Sequence, residues 1–217
     1  MKVLILGATG RTGQYLVSEI LKLGYEVNVL VRDKSRLPDY SSQVLVFEGT
    51  PTDITDLAKA MQGCDAVLSS LNISRTSDFP WAKLGTPKDF LSASMKNIIA
   101  TAVELDVKRI IITTAWGVSE TKKDIPLWFR WLIDHSNIGY PYRDHEVQEE
   151  LLKHSNLDWT AVRPAGLTNS AKIKDVLVSF NNSPKPGLTI SRQNVARFMI
   201  DCLQKDLYVK ESPVVSS

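Results

Sequence analysis

The chain has little that would hold a metal or cross a membrane. Its 217 residues include two cysteines, Cys64 and Cys202, which lie far apart and form no Cys-x-x-Cys motif. The three histidines include no pair at ligand spacing. That pattern argues against a metal site and a disulfide framework, and it fits a reducing, cytoplasmic compartment. No apolar run approaches the roughly 18 residues needed to span a bilayer. "MKVLILG" could pass for the start of a secretory leader, but the apolar run stops at Leu6, so a strand is expected there. Basic and acidic residues nearly balance, 26 against 24, and no basic run exceeds two residues. Nucleic acid and other polyanions are therefore not expected partners. Repeats and low-complexity segments are also missing. The expectation is a protein that acts on a small molecule, as a monomer or homodimer.

What is present is alternation. The length suffices for one buried core, so residues 1–217 are expected to form a single domain with a small substrate-side lobe. Six short β-branched runs read as strands: Lys2 to Leu6, Glu26 to Arg32, Gln43 to Gly49, Asp65 to Leu71, Lys108 to Thr114 and Leu157 to Arg163. They are apolar on both faces, as buried parallel strands are. Between them lie four segments with helical spacing, "RTGQYLVSEILKLG", "ITDLAKAMQG", "PKDFLSASMKNIIATAVELD" and "YRDHEVQEELLKHSN". Strand and helix in strict succession predict an α/β, doubly wound parallel sheet, the Rossmann fold. Gly24, Gly63 and Asn156 stand where a left-handed residue would end a helix. Residues 116–140 and 165–190 are expected to form the substrate side.

The turn from the first strand into the first helix reads "GATGRTG", with glycine at 7, 10 and 13. Bare backbone there lets a pyrophosphate approach N–H groups at the positive end of a helix. The spacing is a variant of Gly-x-Gly-x-x-Gly, with Thr9 in the middle glycine's place. At the end of the second strand an NAD enzyme usually places an acid to bond the ribose 2′-hydroxyl. Here the chain reads "VLVRDKSRLP", placing Arg32 at that position and Arg36 one turn later. Guanidinium groups match a phosphate in a bidentate way, so NADP(H) is the expected cofactor.

Together "GATGRTG", "VLVRDKSRLP", "DAVLSSL", "KNIIATAVELDVKRIIITTAWG" and "LLKHSNLDWTAVRP" resemble the atypical short-chain dehydrogenase/reductase superfamily. Within it the chain is similar to the NAD(P)H-binding, NmrA-like group that includes flavin reductase, also called biliverdin reductase B. The resemblance implies that Gly7, Thr9, Gly10, Arg11, Thr12 and Gly13 hold the phosphates, and that Arg32 and Arg36 hold the 2′-phosphate. It places Asp53 and Ile54 at the adenine, and Ser70 and Leu71 beneath the nicotinamide-side ribose. Thr113, Thr114 and Ala115, with Pro164, Ala165, Gly166 and Leu167, would line the nicotinamide pocket.

The chemistry departs from the superfamily's usual pattern. No Tyr-x-x-x-Lys occurs; in "IGYPYRDHEVQEE" Pro141 and His145 fall at those positions. Tyr140, Tyr142 and His145 remain as candidate proton donors, with His145 equally readable as a helix-surface residue. His135 and His154 are expected at helix ends. Ala115 and Ala165 or Gly166 stand where the group's flavin reductase carries a serine and a histidine, so its substrate is not carried over. Trp116 is the expected substrate contact, whereas Trp128 and Trp131, in "PLWFRWL" from Pro126 to Leu132, read either as part of a short helix over the pocket mouth or as core or an oligomer contact. Two functions stay open: hydride transfer from NADPH to a planar acceptor, such as a flavin, quinone or azo compound, and a non-catalytic NADP(H) sensor or regulator of the NmrA type.

Overall fold

Strands β1 (Lys2–Leu6), β2 (Glu26–Val31), β3 (Leu45–Glu48), β4 (Ala66–Ser69), β5 (Arg109–Thr113) and β6 (Asp158–Pro164) occupy the six predicted places. They pair in parallel in the order β3-β2-β1-β4-β5-β6. The computed structural model describes residues 1–38 and 42–217. The chain runs outward from β1 in one direction to β3 and, after crossing back, in the other to β6. The reversal between β1 and β4 is where an open parallel sheet leaves a crevice at its carboxyl edge.

Helices cover both faces. The connections are α1 (Arg11–Lys22), α2 (Ile54–Met61), α3 (Phe90–Glu104), α4 (Leu127–His135), α5 (Gly139–Lys153) and α6 (Arg192–Gln204). Alternate residues of β1 serve opposite layers, as a period of two requires. Val3 and Ile5 join Leu16, Val17 and Ile20 of α1 and Val195 and Met199 of α6. Leu4 and Leu6 join Leu57 and Met61 of α2, Met95 and Ile98 of α3, and Leu152 of α5.

The tail after Phe180, outside the simple alternation by sequence, completes the sheet. Short strands β7 (Gly166–Thr168), β8 (Leu177–Ser179), β9 (Thr189–Ser191) and β10 (Val214–Ser216) follow β6. β10 pairs parallel to β6, and β8 pairs antiparallel to β10, giving eight strands in all. Buried Arg109 binds this tail to β6 by donating to the carbonyls of Asp158, Cys202 and Leu207 at 3.0, 3.0 and 2.9 Å. β7 and β9 form a separate pair. A second excursion, residues 72–86, turns back on itself through Thr76 N–H to Lys83 O and Gly85 N–H to Ser74 O, at 2.9 and 2.8 Å.

Gly24 and Gly63 take the expected left-handed conformation, with φ of +73° and +70°. Asn156 does not. The Ser155 amide and hydroxyl both bond Leu152 O, at 2.9 and 2.7 Å, so the end of α5 needs no left-handed residue. α5 itself begins three residues ahead of the predicted Tyr142, at Gly139.

The start of α3 shows a cap supplied from elsewhere in the chain. Asp89 stands at its N-cap yet makes no side-chain cap bond. Instead Asp144, on α5, accepts from the Leu91 and Ser92 amides at 2.7 and 3.2 Å. Both amides are buried, and a buried donor without a partner costs about 1 to 3 kcal/mol. Asp144→Ala should therefore lower the free energy of urea unfolding by about that amount. A loss below about 0.5 kcal/mol would show that the α3 amides find other partners.

Candidate cofactor and substrate cleft

The glycine turn explains itself atom by atom. Gly7 has φ +82°, and a Cβ there would press on Ser70 at 3.0 Å. Gly13 lies where a Cβ would stand 2.0 Å from Gly7 O, so α1 can rest against the turn only if that position is bare. Gly10 is the N-cap of α1, and it offers no side-chain cap. The first amides of α1 are thus left to a ligand at the positive helix end.

These atoms open onto a cavity of about 1190 Å³ along the carboxyl edge of the sheet. Gly7, Thr9, Gly10, Arg11 and Thr12 line it, and Gly13 lies beneath them, outside the lining. Arg32 and Arg36 line it at the end of β2. Their charged neighbours are directed elsewhere: the Asp33 carboxylate accepts from Ser35 N and Oγ at 3.0 and 2.6 Å, and Lys34 faces Glu48 at 3.7 Å. Among the described residues no carboxylate is within ion-pair distance of Arg32 or Arg36. Backbone amides, two guanidinium groups and room for a dinucleotide fit the phosphate-rich half of a nicotinamide cofactor.

A family model described as NAD(P)H-binding matches residues 7–206. The chain belongs to this NAD(P)H-binding family. It is similar to reductase pytE of Aspergillus terreus, 24% identical over 245 residues that cover 94% of this chain and 91% of that protein. Its fold matches a short-chain dehydrogenase/reductase of Veillonella parvula DSM 2008 in complex with NADP, with TM-score 0.81 and 20% identity over 100% of this chain and 94% of the other. It also matches ChuY, an anaerobillin reductase of Escherichia coli O157:H7, with TM-score 0.82 and 18% identity over 100% and 97%.

In this NAD(P)H-binding protein the far end of the cleft gathers Ser70, Leu71, Thr113, Thr114, Ala115, Trp116, Pro164, Ala165, Gly166 and Leu167, all of them lining residues. Asp53 and Ile54 are not. The Asp53 carboxylate caps α2 by accepting from Thr55 and Asp56 amides at 2.8 and 3.2 Å, and Gly49 and Pro51 line that edge. Tyr140 also stands outside the lining, with Lys88 Nζ 4.1 Å from its ring centroid. The Lys88 hydrogen bond and charge hold its hydroxyl below the usual phenol range.

Tyr142 and His145 do line the cleft. Burial pushes the Tyr142 hydroxyl far up, and its O–H donates to Trp116 O at 3.4 Å. His145 is only 2% exposed, so it is no surface residue. His135 and His154 sit at helix ends as expected, each ring bonding a carbonyl of its own helix. Trp116 is buried in the core and still lines the cleft. Trp128 departs from the core reading: it is 68% exposed at the mouth, beside Phe129. Trp131, 54% exposed, stacks on His135 outside the lining.

Sequence reasoning missed the residues that hold these walls. Arg163, buried on β6, donates to Glu149 at 3.0 and 2.5 Å and to Glu120 through both terminal nitrogens. Thr114 completes the group by donating to Glu149 at 2.7 Å. The excursion 72–86 forms another wall, pinned by Arg11 to Asp78 at 3.0 Å and by Trp81 Nε1 to His135 O at 3.0 Å. Arg192, the first residue of α6, lines the cleft and donates to Asn169 at 2.7 Å. A charged residue between a strand and an apolar helix was the available signal for Arg192. The polar face of α5 carried no signal, because charge on a helix usually marks solvent.

Burial lowers the pKa of His145 from its usual 6.5, while the Gln148 hydrogen bond and the Glu149 and Asp144 charges oppose the shift without cancelling it. As pH falls the unfolded chain takes up this proton first. His145 therefore contributes stability above about pH 6.5 that is lost as pH drops toward its folded value. Between about pH 7.5 and about pH 5.5 the urea midpoint should fall, and it should fall less in His145→Gln. Equal falls in both proteins would assign the pH dependence to other groups.

Proposed function

We propose that this protein is an NADPH-dependent oxidoreductase that passes hydride to a planar acceptor, a flavin, quinone or azo compound. The observation that carries the reading is the two-ended cleft, with backbone amides and arginines at one end and flat aromatic walls without a positioned acid at the other. When bound, the nicotinamide supplies the hydride. The α1 amides hold its pyrophosphate, and Arg32 and Arg36 hold the 2′-phosphate. Residues 116–140 and 165–190 form the substrate side, where Trp116, Trp128 and Phe129 line the cleft and offer aromatic surface to a planar acceptor. Asp53 and Ile54 serve the adenine end from just beyond the lining.

The proton side supports the choice of acceptor. A Tyr142 hydroxyl with so high a pKa is a poor acid, Tyr140 lies outside the lining, and buried His145 is neutral near pH 7. Carbonyl reduction needs a positioned proton donor, whereas reduced flavins and quinones can take their protons from solvent. Tyr142→Phe should then lower kcat by less than about tenfold, where a true general acid would be worth about 100-fold or more.

Titration with NADPH and NADH, followed by the loss of NADPH absorbance on adding FMN or a quinone, tests the reading. Arg32→Ala should weaken NADPH at least about tenfold, the loss of one charge-assisted phosphate contact, and leave NADH nearly unchanged. Equal affinities of the native protein for both cofactors would overturn the NADP(H) preference. Discrimination between NADPH and NADP without turnover of any acceptor would instead establish a sensor.

A further inference from the structure

His145 is buried on α5, yet it forms part of the cleft wall. Its Nδ1 lies 3.0 Å from Gln148 Oε1. An amide oxygen only accepts, so Nδ1 carries the proton and Nε2 keeps its lone pair. Among the described residues no protein group bonds Nε2. Nε2 is not among the fully enclosed unpaired atoms of the protein, and His145 lines the cleft, so the cleft is the space from which a partner can come. The two carboxylates near enough to charge the ring are already engaged. Asp144 accepts from the α3 amides, and Glu149 accepts from Thr114 and Arg163. The cleft that His145 lines is also lined by Trp116, Phe129, Ile138, Pro141 and Tyr142, and the Tyr142 hydroxyl is turned to Trp116 O.

Resting on the reductase reading above, we propose that His145 is the specificity-determining residue of the acceptor site, its Nε2 accepting a hydrogen bond from a ring N–H or ring hydroxyl. The selected substrate class is a planar acceptor with a donor on its edge, as in a cyclic imide, lactam or hydroxyarene. An acceptor whose edge carries only carbonyl oxygens sets lone pair against lone pair and leaves Nε2 unpaired. A site built around one hydrogen bond rejects the analogue that lacks it far better than an apolar pocket rejects a change of size.

Riboflavin and 3-methylriboflavin form the probe pair, since the methyl group removes the imide donor and leaves the ring system intact. Quenching of flavin fluorescence reads binding to the NADP-loaded protein, and NADPH oxidation reads turnover. The native protein should bind riboflavin about tenfold or more tightly than the methylated flavin, with the difference in KM and little of it in kcat. His145→Gln, whose amide oxygen can still accept, should keep most of the discrimination, and His145→Leu should abolish it. Circular dichroism and an NADPH titration check that both variants fold. Should the leucine variant fail to fold, the native pair and the glutamine variant still decide the matter. Equal binding of the two flavins by the native protein, or no binding of riboflavin, overturns the proposal. Discrimination in binding, with no NADPH oxidation by riboflavin, a quinone or an azo compound, would uphold His145 and overturn the reductase reading alone.

Discussion

Everything at the site depends on how closely α1 can lie against the turn that follows β1. A Cβ at Gly13 would stand 2.0 Å from Gly7 O, a distance that no rearrangement of a side chain can relieve because both neighbours are backbone. With that position bare, the helix seats Leu16, Val17 and Ile20 fully in the core. Each such burial is worth about 1.5 to 3 kcal/mol. The same approach aims the uncapped amides of α1 at the cleft. Helix packing and the exposure of uncapped amides to the cleft are therefore two consequences of one missing side chain.

The far end of the cleft depends on α5 in a different way. The buried side of this helix carries Asp144, His145, Gln148 and Glu149, residue types that ordinarily face water. Each has a partner that justifies its burial. Asp144 caps α3, and Glu149 ties Thr114 on the β5 side to Arg163 on β6, while Gln148 holds the His145 ring. A buried guanidinium is tolerated because two carboxylates meet it; removing one partner of such a group costs far more than the pair contributes. The helix thus works as a polar spine that fixes cleft walls arriving from distant parts of the chain.

The sheet was legible because parallel strands announce themselves as short apolar runs, and all six were placed within a few residues. The glycine turn was legible because a close helix-to-turn approach demands glycine at particular points, and Arg32 and Arg36 were placed at the cleft by the end of β2 that carries them. β10 was not legible. Its three residues, Val214–Ser216, are too short for a periodic signal, and their strand partners, β6 and β8, lie far away in sequence. The excursion 72–86 was silent for the same reason, since its contacts to Arg11 and His135 join positions far apart in sequence. At Asp53 the contact the structure shows is local, the carboxylate capping α2.

By itself the sequence determined the layer order, the place of the crevice and the bare glycine turn that opens onto it, because those follow from local periodicity and from residues adjacent along one strand-turn-helix unit. Only the tertiary structure decided the far end of the cleft. Whether His145 met water or the cleft, whether Trp128 was core or rim, and which carboxylates would neutralise Arg163 were settled by the packing of α5 against α3 and the sheet. Burial converts a polar side chain from a solvated surface group into a directed hydrogen-bonding one, and burial is a property of neighbours that no local stretch of sequence contains.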